Sequence, residues 1–108
     1  MTVPTLAPEQ RRQGLVRAQE AREARAALLA ALKGCQAALE DVFDLADAGD
    51  RTAARTPVLV LLRAFPGVGP ATARKLLLEA KVSDSRRVQG LGRFQRRALL
   101  DGLARRGL

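Results

Sequence analysis

The first third of the chain has the residue pattern of one long helix, predicted at residues 8–34. No proline follows Pro8 in this stretch, strong helix formers dominate, and Gly34 is typical of a left-handed cap, which predicts about 39 Å of helix at 1.5 Å per residue. Between positions 17 and 26 the only apolar residue type is alanine, so this part is expected to project as an arm. Bulky apolar side chains return at helical spacing at Leu28, Leu29 and Leu32. The helix is therefore expected to dock through its C-terminal end, after a disordered tail at residues 1–7.

Shorter apolar stretches predict a helical body over residues 35–108. A second helix with an acidic outer face is expected at residues 36–48, followed by a polar connection at residues 50–55. Thr56 then has the residue type of a helix cap, and Pro57 that of a first helical position. These two residues predict a third helix, short and apolar.

A glycine-rich turn at residues 65–70, with the sequence Phe-Pro-Gly-Val-Gly-Pro, separates the third helix from an amphipathic stretch at residues 71–80. Gly67 and Gly69 permit backbone angles that are closed to other residues, and they let the main chain approach a ligand closely. Val68, between them, is expected to point into the core. The pattern predicts two helices joined by a fixed and accessible hairpin.

The C-terminal part of the chain combines a second glycine turn with a cluster of arginines. Ser83 is expected to cap a short helical turn, and a last helix is predicted from Arg93 to about Arg105. The cations expected near the second glycine turn are Arg86, Arg87, Arg93, Arg96 and Arg97. This number of positive charges is sufficient to hold a stretch of phosphate backbone.

Composition supports an all-α fold and indicates a polyanionic partner. Many residues are Ala or Leu, three are Phe and none is Trp or Tyr, which suits helix packing better than a sheet. The formal net charge is +8. Residues 1–50 hold six basic and eight acidic side chains, a net charge of −2, whereas residues 51–108 hold thirteen and three, a net charge of +10. The partner is therefore expected to meet the C-terminal half.

Residue types exclude several kinds of site. Cys35 is the single cysteine and there is no histidine, so neither an internal disulfide nor a zinc site is expected. The longest aliphatic run, residues 58–62, is far shorter than the ~20 residues of a membrane span, and the N-terminus has no signal-peptide core. We expect a cytoplasmic protein with no membrane partner.

The hairpin has the features of an anion-binding site. Pro70 falls at the first position of the following helix, so the N–H groups of the turn and of that helix end are expected to point outward together. Arg74 and Lys75 lie one turn further along the chain. They are expected to flank the same phosphate or its neighbour.

This arrangement resembles the helix-hairpin-helix motif, which binds a DNA backbone without reading its sequence. The resemblance implies a monovalent cation, Na⁺ or K⁺, at hairpin carbonyls, here those of Phe65 and Val68, and no other cofactor. A dinucleotide site is a poor alternative, because no strand precedes the glycines and Thr72 occupies the third glycine position.

Over nearly its whole length the sequence resembles the actinobacterial integration host factor family, the mycobacterial and streptomycete type. This family is unrelated in fold to the β-armed bacterial proteins of similar name. The resemblance rests on Leu-Ala-Pro-Glu-Gln-Arg at residues 6–11, on the hairpin at residues 65–69 and above all on SDSRRVQGLG at residues 83–92. It implies a long helix followed by a helix-two-turns-helix-like body.

The family resemblance implies a nucleoid-associated protein that binds duplex DNA with little sequence preference, bends or compacts it, and assists site-specific recombination and transcription control. The implied partners are double-stranded DNA and a recombinase or integrase, and the chain is expected to act as a monomer. The motif, the charge pattern and the resemblance together indicate as DNA-binding residues Pro66, Gly67, Val68, Gly69, Arg74, Lys75, Arg86, Arg87, Gln89 and Arg93.

Two positions depart from the family pattern. Pro70 stands where many members have a basic residue after the hairpin, and Gln89 stands where they tend to have a third loop arginine. Either the affinity for DNA is lower, or Arg74 and Arg93 compensate.

Two other functions stay open at this point. One is a duplex-RNA-binding protein that resembles ribosomal protein S13, and the other is an accessory domain of a DNA repair enzyme. Catalysis by the chain itself is not expected, because histidine is absent and the carboxylates cluster in the second helix, away from the cationic surface.

Overall fold

The computed structural model describes residues 8–107, and all regular secondary structure in that range is helical. The α-helices are α1 (Pro8–Lys33), α2 (Leu39–Asp47), α3 (Arg51–Arg55), α4 (Val58–Ala64), α5 (Pro70–Glu79) and α6 (Arg93–Arg105). A short 3-10 helix, Val88–Gly90, precedes α6. The predicted all-α class is confirmed, whereas the tail predicted at residues 1–7 lies outside the described residues. No helix of the described part is long and apolar enough to cross a membrane.

Helix α1 is attached to the body near its C-terminal end. All residues from 8 to 27 are exposed. The side chains of α1 that pack on the core are Leu28, Leu29 and Leu32. The end of the helix differs from the prediction, because the left-handed residue is Cys35, with φ 58°, and not Gly34. Gly34 continues the helical main chain, since its N–H donates to the Ala30 carbonyl at 2.9 Å.

The segment between α2 and α4 is helical, which corrects the polar connection predicted at residues 50–55. The Asp50 carboxylate accepts a hydrogen bond from the Ala53 N–H at 2.9 Å and thereby caps α3. Five residues are too few to show a helical period in the sequence, which is why this helix was not predicted. Helix α2 begins at Leu39 and ends at Asp47, so it is shorter than predicted at both ends.

Thr56, Pro57 and Ser83 have roles that differ from those predicted. The Thr56 hydroxyl donates to the Thr52 carbonyl at 2.6 Å, so Thr56 ends α3 and does not cap α4. Pro57 lies just before α4 with an extended backbone. The Ser83 carbonyl accepts the Arg86 N–H at 3.1 Å, which closes a turn through the main chain without a helix.

One apolar core joins the helices of the described part. Its fully buried side chains include Leu61 of α4, Leu76 and Leu77 of α5, and Leu99 of α6. Each buried leucine stabilises the fold by roughly 1.5–3 kcal/mol relative to an exposed one. Val68 of the hairpin is 6% exposed and belongs to this core, as predicted. The hairpin is therefore fixed to the body of the protein.

Ion pairs connect the helices at two places on the surface. Arg96 of α6 donates two hydrogen bonds to the Asp47 carboxylate of α2, at 2.8 and 2.9 Å. Glu79 of α5 accepts from Arg105 at 3.3 Å and from Arg106 at 3.0 Å. The hydrogen bond from Arg96 lowers the pKa of Asp47, and the one from Arg106 lowers the pKa of Glu79.

Acid should weaken the attachment of α6 to α2. Because the folded pKa of Asp47 lies below its unfolded value of ~4, the pair with Arg96 stabilises the fold above that value, and this contribution is lost as the pH falls through the folded pKa. We expect Asp47→Asn to lower the Tm by a few degrees near neutral pH, with a difference that shrinks as the pH falls below ~4, in melts followed by circular dichroism.

Asp101→Asn is the matched control for this prediction, because Asp101 takes part in none of the ion pairs found within residues 8–107. It should leave the Tm unchanged near neutral pH. A difference between Asp47→Asn and the unsubstituted chain that is as large in acid as at neutral pH would contradict the prediction.

Candidate nucleic-acid interface

The hairpin between α4 and α5 is closed by the main chain. The Val68 N–H donates to the Phe65 carbonyl at 3.2 Å, and Gly67 lies in the left-handed region with φ +79°. Gly69 has an ordinary extended backbone, with φ −86° and ψ 179°. Only Gly67 therefore needs to be glycine for its backbone angles, which corrects the expectation for Gly69.

The open side of the hairpin presents unpaired N–H groups. Those of Gly67 and Gly69 have no acceptor within the described residues. The N–H groups of Ala71 and Thr72 lie in the first turn of α5, where no helical carbonyl precedes them, and Pro70 is the first residue of that helix, as predicted. A Cβ at Gly67 or at Gly69 would meet no atom within 4 Å. A phosphate oxygen can therefore approach these main-chain donors directly.

Cations lie on two sides of the hairpin. Arg74 and Lys75 are exposed on α5, one helical turn from the glycines. On the other side, Lys33 of α1 and Arg63 of α4 line a concavity of about 560 Å³, which Pro66 also lines. Lys33 and Arg63 were not predicted as site residues. The packing of α1 against α4 brings Lys33 to the hairpin, whereas Arg63 lies two residues before it in the chain and could have been found from the sequence.

The arginine loop, residues 83–92, is held against the start of α4 by main-chain hydrogen bonds. The Val58 N–H donates to the Arg86 carbonyl at 2.9 Å, and the Val88 N–H donates to the Thr56 carbonyl at 3.2 Å. Val88 is also fully buried. Leu91 of the loop is buried as well, so the loop is fixed through its backbone and two apolar side chains, which leaves its polar side chains available to solvent.

Three of the predicted contact residues come together on this loop. Arg86, Arg87 and Gln89 line a concavity of about 350 Å³ with Gly90 and two serines. The Arg86 side chain lies over Gly90: its Nη1 is 3.4 Å from the Gly90 carbonyl, and a Cβ at Gly90 would be 2.8 Å from the Cδ of Arg86. A larger residue at position 90 would displace Arg86.

The other three arginines expected near the second glycine turn do not line the loop concavity. Arg96 is paired with Asp47, which corrects the expectation that its charge is available to a partner. Arg93 and Arg97 line a separate concavity between α2 and α6, and Asp44 lies in the same concavity. Of the five predicted cations, two therefore remain on the loop.

The hairpin and the arginine loop lie at opposite ends of α4. This helix has seven residues, so the two regions are separated by about 10 Å at 1.5 Å per residue. Both regions offer hydrogen-bond donors and positive charge. The part of the chain that the structure describes contains no group of three or more His, Cys, Asp or Glu side chains that could hold a metal ion. The hydrogen-bond donors and the positive charge of both regions suit the binding of an anion.

Comparison with known proteins gives a consistent family. Residues 32–103 match a family model described as the S13-like H2TH domain. The chain is 39% identical over 101 residues to the integration host factors of Mycolicibacterium smegmatis and Mycobacterium tuberculosis, which covers 94% of this chain and 95% of each relative. It is 38% identical over 95 residues to the integration host factor of Streptomyces coelicolor, with 88% of both proteins covered.

A solved structure also matches the fold. It is the structure of sIHF bound to an 8bp palindromic DNA, and it is 34% identical to this chain with a TM-score of 0.74. The match covers 79% of this chain and 94% of the sIHF chain. The resemblance expected from the sequence is confirmed, and the chain belongs to the integration host factor family represented by these mycobacterial and Streptomyces proteins.

Proposed function

We propose that this chain is a non-enzymatic architectural protein that binds the phosphate backbone of duplex DNA. The observation that carries the proposal is the placement of two anion-binding regions at the two ends of α4, one with unpaired N–H groups and one with unpaired arginines. The relatives support it, since they are named integration host factors and one similar structure is a complex with DNA.

In this proposal the hairpin contacts one phosphate through main-chain donors. The free N–H groups of Gly67 and Gly69 adjoin the start of α5, where the helix dipole adds about half a positive charge. Arg74 and Lys75 add full charges one turn away. Because these groups meet phosphate oxygens and not base edges, the contact is independent of DNA sequence.

The arginine loop supplies the second contact. Arg86 and Arg87 are exposed, and a guanidinium can donate two parallel hydrogen bonds to a phosphate. Gln89 adds a neutral donor beside them. Smooth bending of a short duplex costs on the order of 1–6 kcal/mol, and contacts at two points of one rigid body can offset that cost. We therefore include bending or compaction of DNA in the proposed function.

The proposed place of action is the nucleoid, with duplex DNA as partner and a recombinase or integrase acting on the bent DNA. The chain is proposed to act as a monomer, since both contact regions lie on one protomer. A catalytic role has little support, because Asp47 and Glu79, the carboxylates with perturbed pKa, are held by arginines in ion pairs.

A monovalent cation, Na⁺ or K⁺, belongs to the same proposal. The carbonyls of Phe65 and Val68 would hold it. The Phe65 carbonyl accepts only the Val68 N–H within the described residues, and its second lone pair suits a hard cation. When bound, the cation adds positive charge beside the phosphate.

Duplex RNA is the second candidate partner, and the S13-like character of the matched domain favours it. The chain has no Trp or Tyr, the usual platforms for stacking single-stranded bases. The candidate partners are therefore duplex DNA and duplex RNA. Binding of a DNA duplex in competition with an RNA duplex of the same sequence distinguishes the two. A preference for RNA would replace the DNA proposal.

The salt dependence of DNA binding tests the backbone contacts. Contact with about four to six phosphates predicts a slope of about −4 to −5 in log K against log salt, equal for two unrelated duplexes. Arg86→Glu/Arg87→Glu should weaken both duplexes alike and make the slope shallower by about 2. Arg12→Glu/Arg22→Glu removes the same charge from α1, away from both regions, and serves as the control.

Two results would reject this part of the proposal. A response of the unsubstituted chain that is flat in salt would exclude backbone binding. A loss of affinity for one duplex only would show that base edges or DNA shape are read at the loop.

Substitutions of Gly69 can change the affinity for DNA without changing the stability of the fold. Gly69 is the N-cap of α5, where aspartate is a favoured residue, so Gly69→Asp should fold as stably as the unsubstituted chain. The carboxylate at residue 69 would accept hydrogen bonds from the N–H groups at the start of α5 and would repel a phosphate. We therefore expect the affinity for DNA to fall by about tenfold or more. Gly69→Asn, of the same shape without the charge, should lose less. If the unsubstituted chain, Gly69→Asp and Gly69→Asn bound DNA with equal affinity and had equal stability in urea unfolding, the hairpin would not be a contact site.

A further inference from the structure

A cationic groove, which the sequence analysis did not predict, lies between α1 and α3. It has a volume of about 410 Å³ and is lined by Arg17, Ala21, Arg25, Arg51, Thr52, Arg55 and Arg87. Five of these seven residues are arginines and none is acidic. Because like charges repel, such convergence costs free energy in the folded chain unless an anion is bound there.

The arginines of this groove are unpaired. All ion pairs found within residues 8–107 use other arginines, namely Arg96, Arg105 and Arg106. Each of the five groove arginines is exposed. On α1, Glu23 accepts a hydrogen bond from Gln19 at 3.1 Å and does not line the groove. The charge of the groove is therefore available to a ligand.

Helical spacing explains why three residues of α1 line the groove. Arg17, Ala21 and Arg25 are four residues apart, so they lie on the same side of α1. The small side chain of Ala21 leaves open the space between the two guanidinium groups. Eight residues of helix separate these groups by about 12 Å, a length that corresponds to about three phosphates of one DNA strand.

Arg87 lines both the concavity of the arginine loop and the groove between α1 and α3. In the concavity it lies with Arg86, and in the groove with the arginines of α1 and α3. Its backbone forms a bridge with Pro57, directly between the end of α3 and the start of α4. The loop and the groove are therefore continuous.

We infer that the DNA backbone held by the arginine loop continues into this groove, so that the footprint of one duplex includes α1 and α3. The inference rests on the proposed function and extends it to the N-terminal helix. An extended polyanion suits the groove better than a small anion, because the cations extend along α1 and the groove opens onto the loop through Arg87.

Titration of the full chain with a duplex of about 16 base pairs, at a series of salt concentrations, tests the inference. Arg17→Gln/Arg25→Gln should reduce the affinity by at least about tenfold near 0.1 M salt and make the slope of log K against log salt shallower by about 1–2. Glutamine is a good helix former, so α1 should keep its helicity in circular dichroism spectra.

The matched control is Arg12→Gln/Arg22→Gln, which removes the same charge from the same helix at positions outside the groove. It should bind within about twofold of the unsubstituted chain. Equal behaviour of the two double variants, while Arg86→Glu/Arg87→Glu still weakens binding, would overturn the inference and leave the proposed function intact. Failure of the unsubstituted chain to bind the duplex would overturn the proposed function itself.

Two further results would assign the groove to another ligand and overturn the inference. One is a loss in Arg17→Gln/Arg25→Gln that affects only a second, weaker binding event, which would place a separate DNA segment in the groove. The other is binding of tripolyphosphate that depends on Arg17 and Arg25 while duplex binding does not.

Discussion

Two main-chain hydrogen bonds between the arginine loop and the start of α4 determine where the charge of this protein is presented. They join Val58 to Arg86 and Val88 to Thr56, and the buried side chain of Val88 adds an apolar contact. The loop has the short 3-10 helix Val88–Gly90 as its regular structure, so its position on the body depends on these bonds. The same bonds place Arg87 beside α3 and α1, and they fix its distance from the hairpin at the other end of α4.

The arginines of the chain divide into two groups with different physical roles. The guanidinium carbon of Arg96 lies 5.1 Å from the centre of the Phe43 ring, and the same group pairs with Asp47, so its charge is neutralised locally and it joins α6 to α2. Arg86 and Arg87 have no acidic partner within the described residues. The arginines without an acidic partner produce the positive electrostatic potential of the surface, because a neutralised ion pair contributes little at a distance. Net charge alone does not distinguish these groups.

The sequence predicted the elements whose signals are local. Pro8 and the hairpin at residues 65–70 were identified from residue types that act within a few positions, and Val68 was correctly expected in the core. Other features depend on contacts between distant residues or on very short elements. The α3 helix has five residues and shows no period, and Cys35 replaces Gly34 as the left-handed residue, although glycine is the commoner choice there.

The candidate site was predictable to the same extent. Arg86, Arg87 and Gln89 were found because they adjoin one another in the chain, whereas Lys33 and the arginines of α1 and α3 reach these surfaces only through helix packing. Gly90 controls where Arg86 presents its charge. A Cβ at residue 90 would lie 2.8 Å from the Cδ of Arg86, so a side chain there would move a proposed contact group without straining the backbone, and DNA affinity would fall while stability stayed the same.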